Sequence, residues 1–254
     1  MAHGAISRGA TVLDVGAGDG LIAFGALEHV GDEGCVIFSD VSADLLEYCS
    51  ALAQELGVAS RCQFVRASAD DRSSIPDGSV DVVTTRSVLI YVKDKASALC
   101  EFHRVLRPGG RVSIYEPINR RMCDPGRLWG YDVSPVAHLY DKLQVLHSSL
   151  QDCETDPMLD FDEQDLLSLA EWAGFETVHL ELRVDIEPET DAVPWETFAN
   201  SSGNPLVPTL REAIDDVLTE REAAEFEAHL RPLVEQGHGR RHVAAAFLWA
   251  TKAS

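Results

Sequence analysis

Two rhythms of apolar and polar positions alternate along the first 116 residues of this chain. Short apolar, β-branched runs at 11–15, 35–39, 62–65, 79–84 and 111–115 have the length and composition of buried strands. Between them the period lengthens to that of a helix. An amphipathic stretch occupies 21–30, and Leu45, Leu46, Cys49, Leu52, Ala53 and Leu56 share one helical face, with Ser42 placed as N-cap and Gly57 as stop. Leu99, Phe102 and Leu106 mark a third helix over 95–106, ended by Pro108-Gly109-Gly110. Strands that alternate with helices need crossover connections, so the pattern predicts an α/β fold with a mostly parallel sheet.

The rhythm stops after Pro117. Residues 117–160 carry Pro125, Gly126, Gly130, Pro135 and Pro157 and read as an insertion. A helix over 163–173 and a strand over 176–186 resume the alternation, before a second proline-rich stretch at 187–208. Two amphipathic helices follow, one striped by Leu210, Ile214, Val217 and Leu218, the other by Phe226, Leu230, Leu233 and Val234. Thr219 and Glu222 have capping-box spacing between them. A last, nearly all-apolar strand over 242–251 is expected to be buried. Long irregular segments in a compact domain tend to serve as lids or binding loops. The organisation expected is therefore one domain with a core of 10–116, 161–186 and 240–252. Its insertions, 117–160 and 187–238, form a substrate cover.

The first strand ends in Val12-Leu13-Asp14-Val15-Gly16-Ala17-Gly18-Asp19-Gly20. Strand, glycine turn and helix in that order open a nucleotide-binding α/β sheet. The turn is G-x-G-x-G, with Leu21 where the third glycine of a dinucleotide fingerprint would fall. Asp14 precedes the first glycine by two positions at the strand's carboxyl end. A carboxylate there repels a pyrophosphate and suits a cationic amino-acid ligand, which points to S-adenosylmethionine.

Composition narrows the partners. The chain has 254 residues, 45% of them hydrophobic, and sets 21 basic against 42 acidic residues for a formal charge of −21. Such a surface disfavours DNA or RNA as substrate, and an acid excess by itself serves solubility. No run reaches the ~18 apolar residues a membrane span needs, and the N-terminus shows no signal-peptide core. Cys35, Cys49, Cys62, Cys100, Cys123 and Cys153 never form C-x-x-C. Disulfides are possible without being implied, and a reduced, cytoplasmic setting is expected. No metal is expected: His238 and His242 flank Gly239 and a strand start rather than sharing a helix face.

The VLDVGAGDG segment resembles the first motif of the class I S-adenosylmethionine-dependent methyltransferases, and three later segments agree in order and spacing. Asp40 falls about 20 residues after the glycines, where Rossmann-like folds place a ribose-binding acid. Ser68-Ala69-Asp70 resembles the loop beneath the adenine. Val80-Asp81-Val82-Val83 and Arg104-Val105-Leu106-Arg107-Pro108-Gly109-Gly110-Arg111 resemble the fourth strand and the turn before the fifth. The resemblance covers residues 10–116. It implies a Rossmann-like sheet of seven strands, mostly parallel with the last antiparallel, with helices on both faces. The implied activity is methyl transfer from S-adenosylmethionine to a small molecule. It further implies a helical segment ahead of the glycine motif, which opens here already at Val12. Closure of the site by the insertions, closure by a partner, and a truncated start are the alternatives.

Under this resemblance Gly16, Ala17 and Gly18 pass beneath the methionyl portion, with Asp14 near its ammonium. Asp40 accepts from both ribose hydroxyls, Val41 packs on the adenine, and Ala69 and Asp70 meet its edge, Asp71 being able to replace Asp70. Arg86 and Ser87 lie just past the fourth strand, Arg86 within reach of Asp14, the methionyl carboxylate or a substrate. Methyl transfer from a sulfonium needs alignment and exclusion of water more than proton chemistry. Glu116, ending the fifth strand, is the first candidate for a base or substrate-orienting acid, the alternative being a carboxylate that caps a loop. Tyr91 is the second. His138, Tyr140 and His147 in the first insertion and Trp195 in the second are candidate substrate contacts. Arg120, Arg121 and Arg127 are either a clamp for a substrate carboxylate or phosphate, or a solvated loop. The rival functions are a non-catalytic methyltransferase-like subunit that binds cofactor and a protein partner, and an NAD-dependent oxidoreductase.

Overall fold

The computed structural model describes residues 4–71, 74–122, 126–151, 155–204 and 207–254. Cys123, Pro125, Cys153 and Pro205 lie outside the described residues. The chain forms two compact units.

The first unit comprises Met1–Ile118, Phe161–Arg183 and Ala245–Ser254. It opens with β1 (Thr11–Val15), α1 (Leu21–Val30), β2 (Cys35–Asp40), α2 (Ala43–Glu55), β3 (Cys62–Arg66), β4 (Val80–Arg86), α3 (Lys95–Val105) and β5 (Leu106–Pro117). Ser42 caps α2 as its side chain accepts from the Leu45 amide, and Asp94 caps α3 by accepting from the Ser97 amide. β5 starts earlier than the Pro108-Gly109-Gly110 turn suggested. Leu106 already pairs with Val80, and the register then shifts so that Val82 faces Arg111, which loops the proline and glycines out of the ladder.

The second unit comprises Asn119–Asp160 and Val184–Ala244. Its first segment carries the hairpin β6 (Arg127–Leu128) and β7 (Tyr131–Asp132), then α4 (Ala137–Leu150). The chain next supplies α5 (Glu163–Trp172) and enters β8 (Thr177–Pro188). The second unit's other helices are α6 (Trp195–Ala199), α7 (Leu210–Val217) and α8 (Glu220–Glu235), and β9 (Arg240–Thr251) closes the chain. Its core is helical. Leu139 and Leu143 of α4 are buried with Trp195, Phe198, Ile214, Phe226 and Leu230. The two proline-rich stretches therefore hold more regular structure than their sequence suggested, and α4 is the larger surprise.

The sheet has seven strands in the order β3-β2-β1-β4-β5-β9-β8. β1 through β5 run parallel, and β9 is antiparallel to β5. The fold is thus the mostly parallel Rossmann-like sheet expected. Val12, Leu13 and Val36 are fully or almost fully buried, as strands packed on both sides require. Strand order reverses where β1 meets β4, the switch point at which open α/β sheets bind ligands at the strands' carboxyl ends.

Candidate active site

β1 and β2 deliver two acids to that edge. Asp14 is 2% exposed, and its carboxylate accepts from the Thr84 hydroxyl at 2.8 Å across the β1–β4 pair. The main chain then leaves β1 through the glycine turn. The amides of Gly16 and Ala17 both donate to the Ser39 carbonyl, at 2.8 and 3.0 Å. Asp40 ties the far side of the turn: Oδ2 accepts from the Gly18 amide and Oδ1 from the Ser42 amide, each at 2.9 Å. A carboxylate has about four lone-pair positions, so this bracing leaves Asp40 room for further donors.

The glycines at 16 and 18 serve different needs. Both have positive φ, 67° and 55°, where a side chain is strained. A Cβ at Gly16 would lie 2.3 Å from Val88 Cγ2, whereas one at Gly18 would meet nothing within 4 Å. Packing therefore dictates glycine at 16. At 18 the backbone faces open space, as close approach of a ligand demands. Beside it the Cys49 thiol donates to the Gly18 carbonyl at 3.4 Å, and its burial, with Asp19, Asp40 and Asp14 nearby, pushes the thiol up to about 11. Cys49 is thus an inert packing residue here.

The other expected cofactor positions belong to the same unit. Val41 is 63% exposed, immediately after Asp40. Ala69 is buried, and Asp70 accepts a hydrogen bond from the Ser68 hydroxyl. The Arg86 guanidinium sits over the Tyr115 ring, 5.6 Å from its centroid. Ser87 adopts a positive φ of 55° and donates its amide to the Tyr115 carbonyl at 2.8 Å. Tyr91, 62% exposed, closes the 3-10 turn Leu89–Tyr91 that follows β4.

Of the roles open to Glu116, the structure displays that of a capping carboxylate. Glu116 is 0% exposed, and its carboxylate accepts from the amides of Val88 and Leu89, both at 2.9 Å, and Ile90 at 3.3 Å. Burial pushes it up to about 7, against the pull of those three amides and of Lys95. It caps the turn after β4 instead of opening onto the crevice, because those amides have no partner within their own turn.

The substrate candidates all lie in the second unit. Trp195 is 1% exposed and belongs to its hydrophobic core, which corrects its reading as a substrate contact. Tyr140 is corrected likewise: it is buried in the same core, and its hydroxyl donates to the Arg127 carbonyl at 3.2 Å. Arg120 donates to the Leu159 carbonyl and Arg127 to that of Gly130. Arg121 is exposed. His138 is exposed, 3.9 Å from Glu225, and desolvation lowers His147. Among the described residues no group of His, Cys, Asp and Glu has the arrangement of a metal site.

Sequence reading missed three contributors: Thr84, the Ser39 carbonyl and Val88. Thr84 has a faint signal, as a polar residue inside an apolar strand. The other two have none.

A family model described as the ubiE/COQ5 methyltransferase family matches residues 1–183. Over 181 residues the chain is 30% identical to the ubiquinone/menaquinone biosynthesis C-methyltransferase UbiE of Idiomarina loihiensis, covering 68% of this chain and 69% of that protein. Among solved structures, the YcgJ protein of Bacillus subtilis is similar with a TM-score of 0.58 at 17% identity, covering 98% of this chain and 94% of that one. An arsenic(III) S-adenosylmethionine methyltransferase from Chlamydomonas reinhardtii is similar with a TM-score of 0.56 at 20% identity, over 97% of this chain and 64% of that one. At these identities the structural likenesses speak for the fold.

Proposed function

The chain belongs to the ubiE/COQ5 methyltransferase family, and from that premise we propose how its residues divide the work of methyl transfer. It is an S-adenosylmethionine-dependent methyltransferase acting on a small-molecule acceptor. In our reading Asp14, Gly16, Ala17 and Gly18 receive the methionyl end, and Asp40 the ribose. Val41, Ala69 and Asp70 surround the adenine, while Arg86 and Ser87 line the floor after β4. The observation that carries this reading is the turn itself. Its Gly18 has open space where a Cβ would stand, while Asp40 holds the Gly18 amide. These residues fit the cofactor: a buried carboxylate suits a cationic amino acid, and an acid with spare lone pairs suits a diol.

When bound, S-adenosylmethionine supplies an activated methyl group and a good leaving group. The chain's own task is then to hold the acceptor in line and exclude water. With Glu116 occupied as a cap, Tyr91 is the hydroxyl we assign to the acceptor side. The helices α6 to α8 of the second unit lie beyond the family match at residue 183. Quinol precursors, by analogy with the Idiomarina relative, are the first acceptors to try. The formal charge of −21 supports a non-nucleic-acid acceptor, and no helix among the described residues is long and apolar enough to cross a membrane. Free Cys35, Cys49, Cys62 and Cys100 support a cytoplasmic setting.

Two measurements test the proposal. Calorimetry should show S-adenosylhomocysteine binding and NAD failing to bind; the reverse preference would sink the cofactor assignment. A labelled methyl donor offered to quinol, amine, thiol and arsenite acceptors should give a labelled product with at least one. Tight cofactor binding with no product across that panel would favour a non-catalytic subunit.

A further inference from the structure

A wholly buried carboxylate that accepts from three successive backbone amides holds a segment of main chain in place. Glu116 stands at the end of β5, and its three amide donors belong to consecutive residues after β4. The residue before them, Ser87, is held in the left-handed region and bonded to Tyr115. Residues 87 to 90 are therefore fastened to the carboxyl end of β5 amide by amide. The side chain of Val88 extends this fastening to the glycine turn, since it fills the space where Gly16 would otherwise carry a Cβ.

We propose that Glu116 is a positioning residue for the cofactor. Its ionised carboxylate fixes the 88–90 amides, these fix Val88 against Gly16, and Val88 holds the glycine turn in the shape that receives the methionyl end of S-adenosylmethionine. The inference rests on the reading of this edge as the cofactor crevice.

The arrangement is sensitive to protonation. A protonated carboxyl loses its charge and turns one oxygen into a donor, so it accepts from the three amides more weakly. With Glu116 raised to about 7, the fastening weakens as pH falls through that value. The charge acting on it is the Lys95 ammonium of α3, which donates to the Val92 carbonyl at 3.0 Å and lies over the Phe161 ring. β9 pairs Ala246 with Glu116 and the 3-10 turn brings Leu89 and Ile90, none of them titratable, while β4 ends in Arg86, whose guanidinium lies over the Tyr115 ring.

The test is calorimetric titration of the full chain with S-adenosylhomocysteine between about pH 5.5 and 7.5, a window that avoids the ligand's own carboxyl and most of its amine titration. Wild-type affinity should fall about tenfold from the upper to the lower end, as expected for losing one hydrogen bond to a charged group. Glu116→Gln should bind weakly across the whole range with no such slope, and far-UV circular dichroism establishes that it is folded. Val88→Ala, which leaves Glu116 in place but removes its contact with Gly16, should flatten the slope as well. An undiminished slope in either variant overturns the inference, and Val88→Ala decides the matter if Glu116→Gln does not fold. A wild type that binds no S-adenosylhomocysteine at any pH overturns the crevice reading itself, and this inference with it. Binding with unaltered variants overturns this inference alone.

Discussion

Single residues at the glycine turn carry separable loads. Gly16 and Gly18 share a left-handed backbone, so alanine at either costs conformational strain of about 1–2 kcal/mol. At 16 the new methyl must also displace Val88, whereas at 18 it enters open space. Gly16→Ala should therefore lower stability to urea by about 1–3 kcal/mol more than Gly18→Ala, on the scale of overpacking. Gly18→Ala should instead damage mainly S-adenosylhomocysteine affinity, and equal effects of the two on both quantities would refute this division. Asp40 braces Gly18 and is the acid we propose for the ribose. Asp40→Ala should weaken S-adenosylhomocysteine binding by about 1.5–3 kcal/mol, the scale of hydrogen bonds to a charged group. Calorimetric affinity equal to wild type would remove Asp40 from the site.

Among the elements, the caps are the most legible. Thr219 and Glu222 form a reciprocal capping box at the start of α8, and Lys142 of α4 donates to Glu222 at 2.6 Å. Lys142, then the Thr219 amide and hydroxyl, hold the Glu222 carboxyl down to about 2, below its ordinary 4.5. The sign follows from the depression: the stabilisation is fully present above 4.5 and is lost as pH falls through about 2. Thr219→Ala should cost about 1 kcal/mol at neutral pH, a typical N-cap loss. In urea unfolding at pH 7 and about pH 2.5, its deficit should shrink at the lower value as Glu222 protonates. A deficit that stays constant between the two would mean the carboxylate adds nothing to the cap.

At the scale of the whole molecule, each of the two compact units buries hydrophobic residues of its own. The interior of the second unit holds large side chains, among them Phe226 from the expected apolar stripe and Trp195, which the sequence offered as a substrate contact. The guanidinium carbons of Arg231 and Arg211 lie 5.7 and 6.0 Å from the Trp195 ring centroid. Trp195→Ala should therefore lower stability by about 3–5 kcal/mol, as for a large aromatic removed from a core. The readout is the urea unfolding midpoint, and an unshifted midpoint would return Trp195 to a surface role.

The sequence by itself determined the parallel core, the glycine turn and the acids at the ends of β1 and β2. Each is written in local signals: strand-length apolar runs, helix period, Ser42 as a cap, glycine where φ turns positive. It also carried the cofactor class, through Asp14 and the spacing of the glycines. The five-residue α6 is too short to show a period, and α4 was hidden among prolines although Leu139, Tyr140 and Leu143 keep helical spacing. Only the tertiary structure decided what the buried acids do. Thr84 reaches Asp14 from 70 residues away through the β1–β4 register. Glu116 finds its amides 26 to 28 residues back in the chain. A carboxylate satisfies whichever donors the fold brings within about 3 Å, and no pattern local to Glu116 says whether those will be a substrate or the protein's own backbone.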